Sequence, residues 1–495
     1  MPEPRRDTRL DRYLDLYAQR TKGLKASAVR SLFAVANRPE VVSLAGGMPN
    51  IGGLPLDMVA DAAGDLIRQR GPEVLQYGGA QGEPRLREQI CQVMALEGVQ
   101  AEPDDVVVSC GSQQALDLIT RTFIEPGDVV LAEAPSYVGA LNTFQSYQAQ
   151  VVHVAMDQDG LQPEALRQAA LGCRAAGRRV KFCYTIPNFN NPTGLTQSLE
   201  RRRQILEVAA EVDLLLIEDN PYGLLTLDHE PWPALRAFDH ERVVYLGSFS
   251  KTFAPGLRVG WAVAPHPIKD KLVLAQEAAT LCPPVFSQHV VSAYLSEWDW
   301  RGQVDRFRQE YRARRAAMLQ GLEDHMPEGT TWTKPGGGFF VWVTLPEGLD
   351  SQSLLATAVT NRVAYVPGTG FYADGLGSRN MRLSYCFPPP QQIYEGTRRL
   401  GEVLAEAIDL AQTFGLMAAP GQPERSDRSD QPDQSDQTEI SVQPDRPAQP
   451  VHPEQLERFT HPAAPAPSDG AEPASPTGPT PGAPPEPTPL SIRSE

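Results

Sequence analysis

A set of polar residues stands just beyond short apolar runs in this chain. Ser112 and Gln113 follow VVVS and open a segment of helical period. Tyr137 follows VVLAE, and Asn191 follows VKFCYTIP. Asp219 and Tyr222 end and follow DLLLI. Ser248, Ser250 and Lys251 follow VVYLG, and Arg258 stands seven residues beyond the lysine. A helix start presents free backbone N–H groups, a ready site for phosphate. Two serines and an arginine fork could complete such a cup. Tyr137 offers a flat face to a ring. Asp219 offers a carboxylate at a strand end, and Lys251 an amine able to condense with an aldehyde.

A phosphate, an aromatic ring, a ring nitrogen needing an anion and an aldehyde needing an amine describe one molecule, pyridoxal 5′-phosphate. The elements that must position these residues are legible in the same stretch. Apolar runs of strand length recur at 106–109, 129–133, 151–154, 180–184, 213–219, 243–247 and 259–264. Several are apolar at successive positions, as in strands covered on both faces. Helical segments such as 113–123 and 206–212 lie between them. Strand, helix, strand, repeated, predicts an α/β domain with a mostly parallel, seven-stranded sheet. Ligands of such sheets bind beyond the carboxyl ends of the strands, where the polar set falls. A long amphipathic helix (298–326), a Gly-rich strand pair, a further strand (381–387) and a closing helix (393–414) predict a second, smaller α/β domain.

The chain has 495 residues and a formal charge of −16. Half of that charge belongs to residues 420–495, which hold 13 Asp/Glu against 5 Arg, 18 of the 46 prolines and one aromatic, Phe459. That stretch cannot bury enough apolar surface to offset the entropy of ordering, so a disordered acidic tail is expected from 419 to 495. The expected organisation is an N-terminal segment (1–60) packing with the small domain, a large domain (61–299), the small domain (300–418) and the tail. No run is long and apolar enough to suggest a membrane span, and the charged N-terminus does not read as a signal peptide. The acidic balance argues against nucleic acid as a partner. Six scattered cysteines and eight scattered histidines give no metal-ligand spacing. The cysteines read as thiols of a reducing compartment, and a cytoplasmic location is expected.

Five segments carry a resemblance to a known family: YGGAQGEPRLRE (77–88), NNPTG (190–194), EDNPYG (218–223), SFSKTFAPGLRVG (248–260) and MRLSY (381–385). In order and spacing the chain resembles the class I/II pyridoxal-phosphate aminotransferases of fold type I. KASAVRSLF (25–33) and SLAGGMPN (43–50) make it most similar to the 2-aminoadipate, kynurenine-like members of broad specificity. The resemblance implies Lys251 as the catalytic lysine and Asp219 as partner of the ring nitrogen. It implies Asn191 and Tyr222 on the ring hydroxyl, and Tyr137 stacked on the ring. Ser112, Gln113, Ser248, Ser250 and Arg258 would hold the phosphate. Tyr77 would reach the phosphate of a second subunit, in a homodimer with shared sites. Arg382 would bind the substrate α-carboxylate with Asn191, Gly46 and Gly47 would admit the substrate close to the backbone, and Arg30 would meet a distal carboxylate. The Asn191–Pro192 bond is expected to be cis. The implied reaction moves the amino group of an amino acid to a 2-oxo acid. Two other readings of the same fold are a β-lyase and a ligand-sensing non-enzyme.

Overall fold

A computed structural model describes residue 13, residues 15–23, residue 38 and residues 40–414. Arg30 and the expected tail lie outside the described residues. Five strands come first in chain order: β1 (Val42–Ser43), β2 (Val106–Ser109), β3 (Val129–Ala134), β4 (Gln150–Asp157) and β5 (Gly160–Leu161). β6 (Val180–Thr185), β7 (Leu215–Asp219), β8 (Val243–Ser248) and β9 (Gly260–Val263) follow. The largest sheet has eight strands in the order β2-β9-β8-β7-β6-β3-β4-β5. The pairs β4–β3, β3–β6, β6–β7 and β7–β8 are parallel, whereas β9 runs antiparallel to both β8 and β2. The seven expected strands are all present. The eighth, β5, is a two-residue antiparallel edge on β4 and too short to leave an apolar run.

Burial explains the continuous apolar runs. Successive residues of one strand enter different cores: Val129 and Leu131 face one cluster and Val130 the opposite one, as do Leu216 and Ile217. The helices Ser112–Phe123 and Val138–Ser146 cover one face; Pro163–Ala175 and Leu199–Glu211 cover the other. Each fully buried aliphatic side chain contributes about 1.5–3 kcal/mol, so neither helix layer can be shed cheaply. β4 departs from the pattern. It is half exposed because only the short β5 lies outside it.

A separate four-stranded antiparallel sheet follows, made from β10 (Thr331–Trp332), β11 (Phe340–Thr344), β13 (Val366–Pro367) and β14 (Asn380–Ser384), in the order β10-β11-β14-β13. β1 pairs in parallel with β12 (Val363–Ala364), and the Ser384 amide donates to the Leu44 carbonyl. These contacts bring the glycines at 46–47 close to β14. The helices Trp300–His325 and Pro390–Thr413 pack against each other behind this sheet. All six cysteines are free, and no helix among the described residues is long and apolar enough to cross a membrane.

Candidate active site

A cavity of about 450 Å³ opens at the carboxyl ends of the parallel strands. Ser112, Gln113, Tyr137, Asn191, Asp219, Tyr222, Ser248, Ser250, Lys251, Arg258 and Arg382 all line it. One end is built as an anion cup. The chain leaves β2 through Gly111, at φ +76°, and enters the helix Ser112–Phe123. A side chain at Gly111 would collide with the Arg258 guanidinium, and one at Gly260 with the backbone amide of Ser112. These two glycines let Arg258 and β9 close on the helix start, whose first amides have no intrahelical acceptor. Arg258 donates to the Cys110 carbonyl (3.1 Å) and to Ser250 Oγ (3.4 Å), and Ser248 Oγ lies 2.9 Å from Ser250 Oγ.

Asp219 ends β7, opposite Leu246 of β8. Its Oδ2 accepts from the Tyr184 hydroxyl at 2.6 Å, while the buried Oδ1 has no partner among the described residues. Burial pushes the Asp219 carboxyl up to about 6, against the Tyr184 hydrogen bond and the nearby Lys251. Lys251 Nζ donates to the Gly47 carbonyl at 2.8 Å. Burial pulls its amine down to about 8, assisted by Arg382 and Arg258. Tyr137 donates to Gln113 Oε1 (3.2 Å), and the Gln113 amide donates to Thr143 Oγ1 (2.8 Å), so the phenol is tied to the cup.

Arg382, on β14, is 4% exposed. It donates to Asn191 Oδ1 and to the Ala45 carbonyl, each at 2.8 Å. Its guanidinium lies 4.1 Å from the Phe340 ring centroid and 5.1 Å from that of Phe371. No carboxylate of the described residues forms an ion pair with it, and its Nε has no partner among them. Burial lowers it to about 10. Asn191 is held by its own loop. Glu133, buried at the end of β3, accepts from the Ile186 amide and the Asn190 side-chain amide, each at 2.6 Å, and Asn190 Oδ1 accepts from the Thr193 amide at 3.0 Å.

Two expectations differ, at Gly46 and at the Asn191–Pro192 bond, whereas those for Tyr77 and Arg30 concern a second subunit and an undescribed residue. Gly46 does not line the cavity; Gly47 does, and its carbonyl meets Lys251. Tyr77 is 76% exposed and outside the cavity of this chain. The Asn191–Pro192 bond is trans, and among the described residues the cis bond is Ala134–Pro135. The candidate Arg30 falls outside the described residues. Residues the sequence reading missed are Tyr184, Phe340 and Phe371. Tyr184 had one usable signal, a hydroxyl directly after the apolar pair Phe182 and Cys183 of β6.

The residues fit pyridoxal 5′-phosphate on this chain's own geometry. An orphaned carboxylate oxygen and a half-buried amine share the cavity, a helix start with an arginine fork lies at one end, and a buried cation without an anion among the described residues completes the set. Asp219 provides a test free of turnover. From its ordinary 3.8 to about 6, the unfolded chain releases this proton and the folded chain keeps it. Stability therefore falls as pH rises through that window, by on the order of 3 kcal/mol at most, and the loss is complete above it. Cofactor-free Asp219→Asn protein should melt above cofactor-free wild type at pH 8, with the gap closing near pH 4. Thermal melts at both values check this; an equal gap at both would mean Asp219 is not held in that state.

Residues 39–400 match the family model described as aminotransferase class I and II. The aromatic-amino-acid aminotransferase 1 of Thermococcus litoralis is 39% identical over 80% of this chain and 95% of its own length. The 2-aminoadipate transaminase of Thermus thermophilus is 37% identical over 78% of this chain and 96% of its own. Among solved structures, a kynurenine aminotransferase of Pyrococcus horikoshii, in complex with PMP, superposes with a TM-score of 0.77 at 38% identity, covering 81% of this chain and 99% of that one.

Proposed function

This chain belongs to the class I and II aminotransferases, and we propose that it is a broad-specificity member acting on 2-aminoadipate, glutamate, aromatic and branched-chain amino acids, with Lys251 as its catalytic base. It is a pyridoxal-phosphate enzyme of fold type I that moves an amino group from an amino acid to a 2-oxo acid. The observation that carries the substrate reading is Arg382: a buried guanidinium with only neutral acceptors, in one cavity with Lys251, is suited to an incoming carboxylate.

The cofactor supplies an aldehyde that takes up the amino group and a ring that draws electrons from the substrate Cα. The protein supplies the rest. Ser112, Gln113, Ser248, Ser250 and Arg258 would hold the phosphate, Tyr137 the ring face, Asn191 and Tyr222 the ring hydroxyl, and Asp219 the ring nitrogen. Arg382 and Asn191 orient the α-carboxylate. Lys251 Nζ, lowered to about 8, has a neutral fraction at working pH and can take a proton from Cα and give it back. Tyr137, Tyr222 and Phe340 give that part of the cavity aromatic walls.

Two finer readings belong to the proposal. A homodimer with shared sites would let Tyr77 of a second copy reach the phosphate, and the exposure of Tyr77 supports this. Six free thiols support a reducing, cytoplasmic setting. The donor range is tested by a panel of amino acids with 2-oxoglutarate as acceptor. Arg30→Ala should raise KM for 2-aminoadipate and glutamate by about tenfold, the scale of one lost charge-assisted pair, and leave KM for leucine nearly unchanged. Equal rises for all three would remove Arg30 from the site.

A further inference from the structure

Tyr184 lies on β6, beneath the cavity and not among the residues that line it. Its ring is fully buried in an apolar cluster, edge-on to Phe144 with ring centroids 5.5 Å apart. A phenol in such a place must find an acceptor for its hydroxyl. The acceptor is Asp219 Oδ2, at 2.6 Å, within the range of an O–H donor on a carboxylate anion. The consequence falls on the other oxygen. With Oδ2 pinned from below, the carboxylate cannot rotate freely, and the unpartnered Oδ1 stays available to the cavity that Asp219 lines.

We infer that Tyr184 is a positioning residue for the cofactor: its buried hydroxyl holds one oxygen of Asp219 so that the other is presented, ionised, to the ring nitrogen. This rests on the pyridoxal-phosphate reading of the site and adds to it the group that keeps the aspartate working. The need for such a group is physical. Burial opposes ionisation of Asp219, and the described groups acting against that are the Tyr184 hydroxyl and the Lys251 amine. The Asp219 charge in turn favours the neutral forms of Glu133, Tyr137 and Tyr222. Lys251 is the residue assigned to proton transfer, so its charge changes during turnover. Tyr184 is the constant contribution.

Tyr184→Phe deletes one oxygen and keeps the ring contacts, so the variant folds with the same buried shape. The informative measurement is the 15N chemical shift of bound pyridoxal 5′-phosphate labelled at its ring nitrogen, recorded for wild type, Tyr184→Phe and Asp219→Asn. Wild type should show a protonated ring nitrogen, Asp219→Asn a neutral one, and Tyr184→Phe a shift moved toward the neutral value. In steady state kcat should fall about ten- to a hundredfold in Tyr184→Phe with KM within about threefold, the scale of one hydrogen bond to a charged group. Adding Tyr184→Phe to Asp219→Asn should change neither quantity further. A Tyr184→Phe shift and kcat equal to wild type, with wild type protonated, would overturn the role of Tyr184 and leave the cofactor site standing. A wild-type ring nitrogen that is already neutral, or no binding at all, would overturn both.

Discussion

Replacing Lys251 by alanine should lower kcat for amino-group transfer by about a thousandfold or more, with the fold intact. Positioned acid–base groups contribute about 10²- to 10⁴-fold, and among the described residues no other amine lines the cavity. The Lys251 amine is poised for this by its surroundings. It is half-buried beside the Gly47 carbonyl and over the Phe339 ring (5.8 Å to the centroid), with no carboxylate of the described residues hydrogen-bonded to it. Burial therefore favours the neutral, proton-accepting form more than an exposed lysine allows. Lys251→Arg should fail as badly, because a guanidinium keeps its proton at every working pH. Steady-state rates of both variants, with melts to show that they fold, check this. Retention of a tenth of wild-type kcat in either would mean that another group moves the proton.

Arg382 should give the second large effect, with an opposite sign in stability. Its guanidinium is held by Asn191 Oδ1, the Ala45 carbonyl and two aromatic faces, and none of these neutralises its charge. Truncating one partner of a buried carboxylate pair costs about 3–5 kcal/mol, so Arg382→Met should lower kcat/KM by about two to four orders of magnitude. Arg382→Lys should recover little, because a point charge lacks the planar fork that grips a carboxylate with two bonds. Without substrate the balance reverses. Replacing an uncompensated buried cation with an apolar side chain of similar length should leave Tm unchanged or raise it. A variant that loses Tm and keeps kcat/KM would make Arg382 a structural residue.

The sequence made most of the site legible because of how open sheets are built. Residues that follow buried strands must gather at one edge, so Ser112, Tyr137, Asn191, Asp219, Ser248 and Lys251 could be placed together from spacing alone. The apolar runs were readable because both faces of the sheet are covered. What escaped is what depends on contacts between distant segments. The lowered Lys251 amine is one such case: burial by distant segments is its largest cause. Tyr184 is invisible as a partner of Asp219 because the pairing crosses from one strand to the next, 35 positions away in sequence. Phe340 and Phe371 flank Arg382 only because β11 pairs with β14 and the turn after β13 folds back on them. Gly46 and Gly47 differ in which peptide turns toward the cavity, and two adjacent glycines carry no signal that chooses between them. The isomer of a proline bond is likewise set by surroundings: NNPTG closes its turn through Asn190 and Gly194 with the proline trans.

The central claim is that this site transfers an amino group and then waits for an acceptor. The most direct measurement is a half-reaction: protein loaded with pyridoxal 5′-phosphate is mixed with L-2-aminoadipate and no 2-oxo acid, and product is counted per subunit. The expected result is one equivalent of 2-oxoadipate per subunit, no free ammonia, and renewed product only when 2-oxoglutarate is added. Continued turnover without an acceptor, or release of ammonia, would contradict the account.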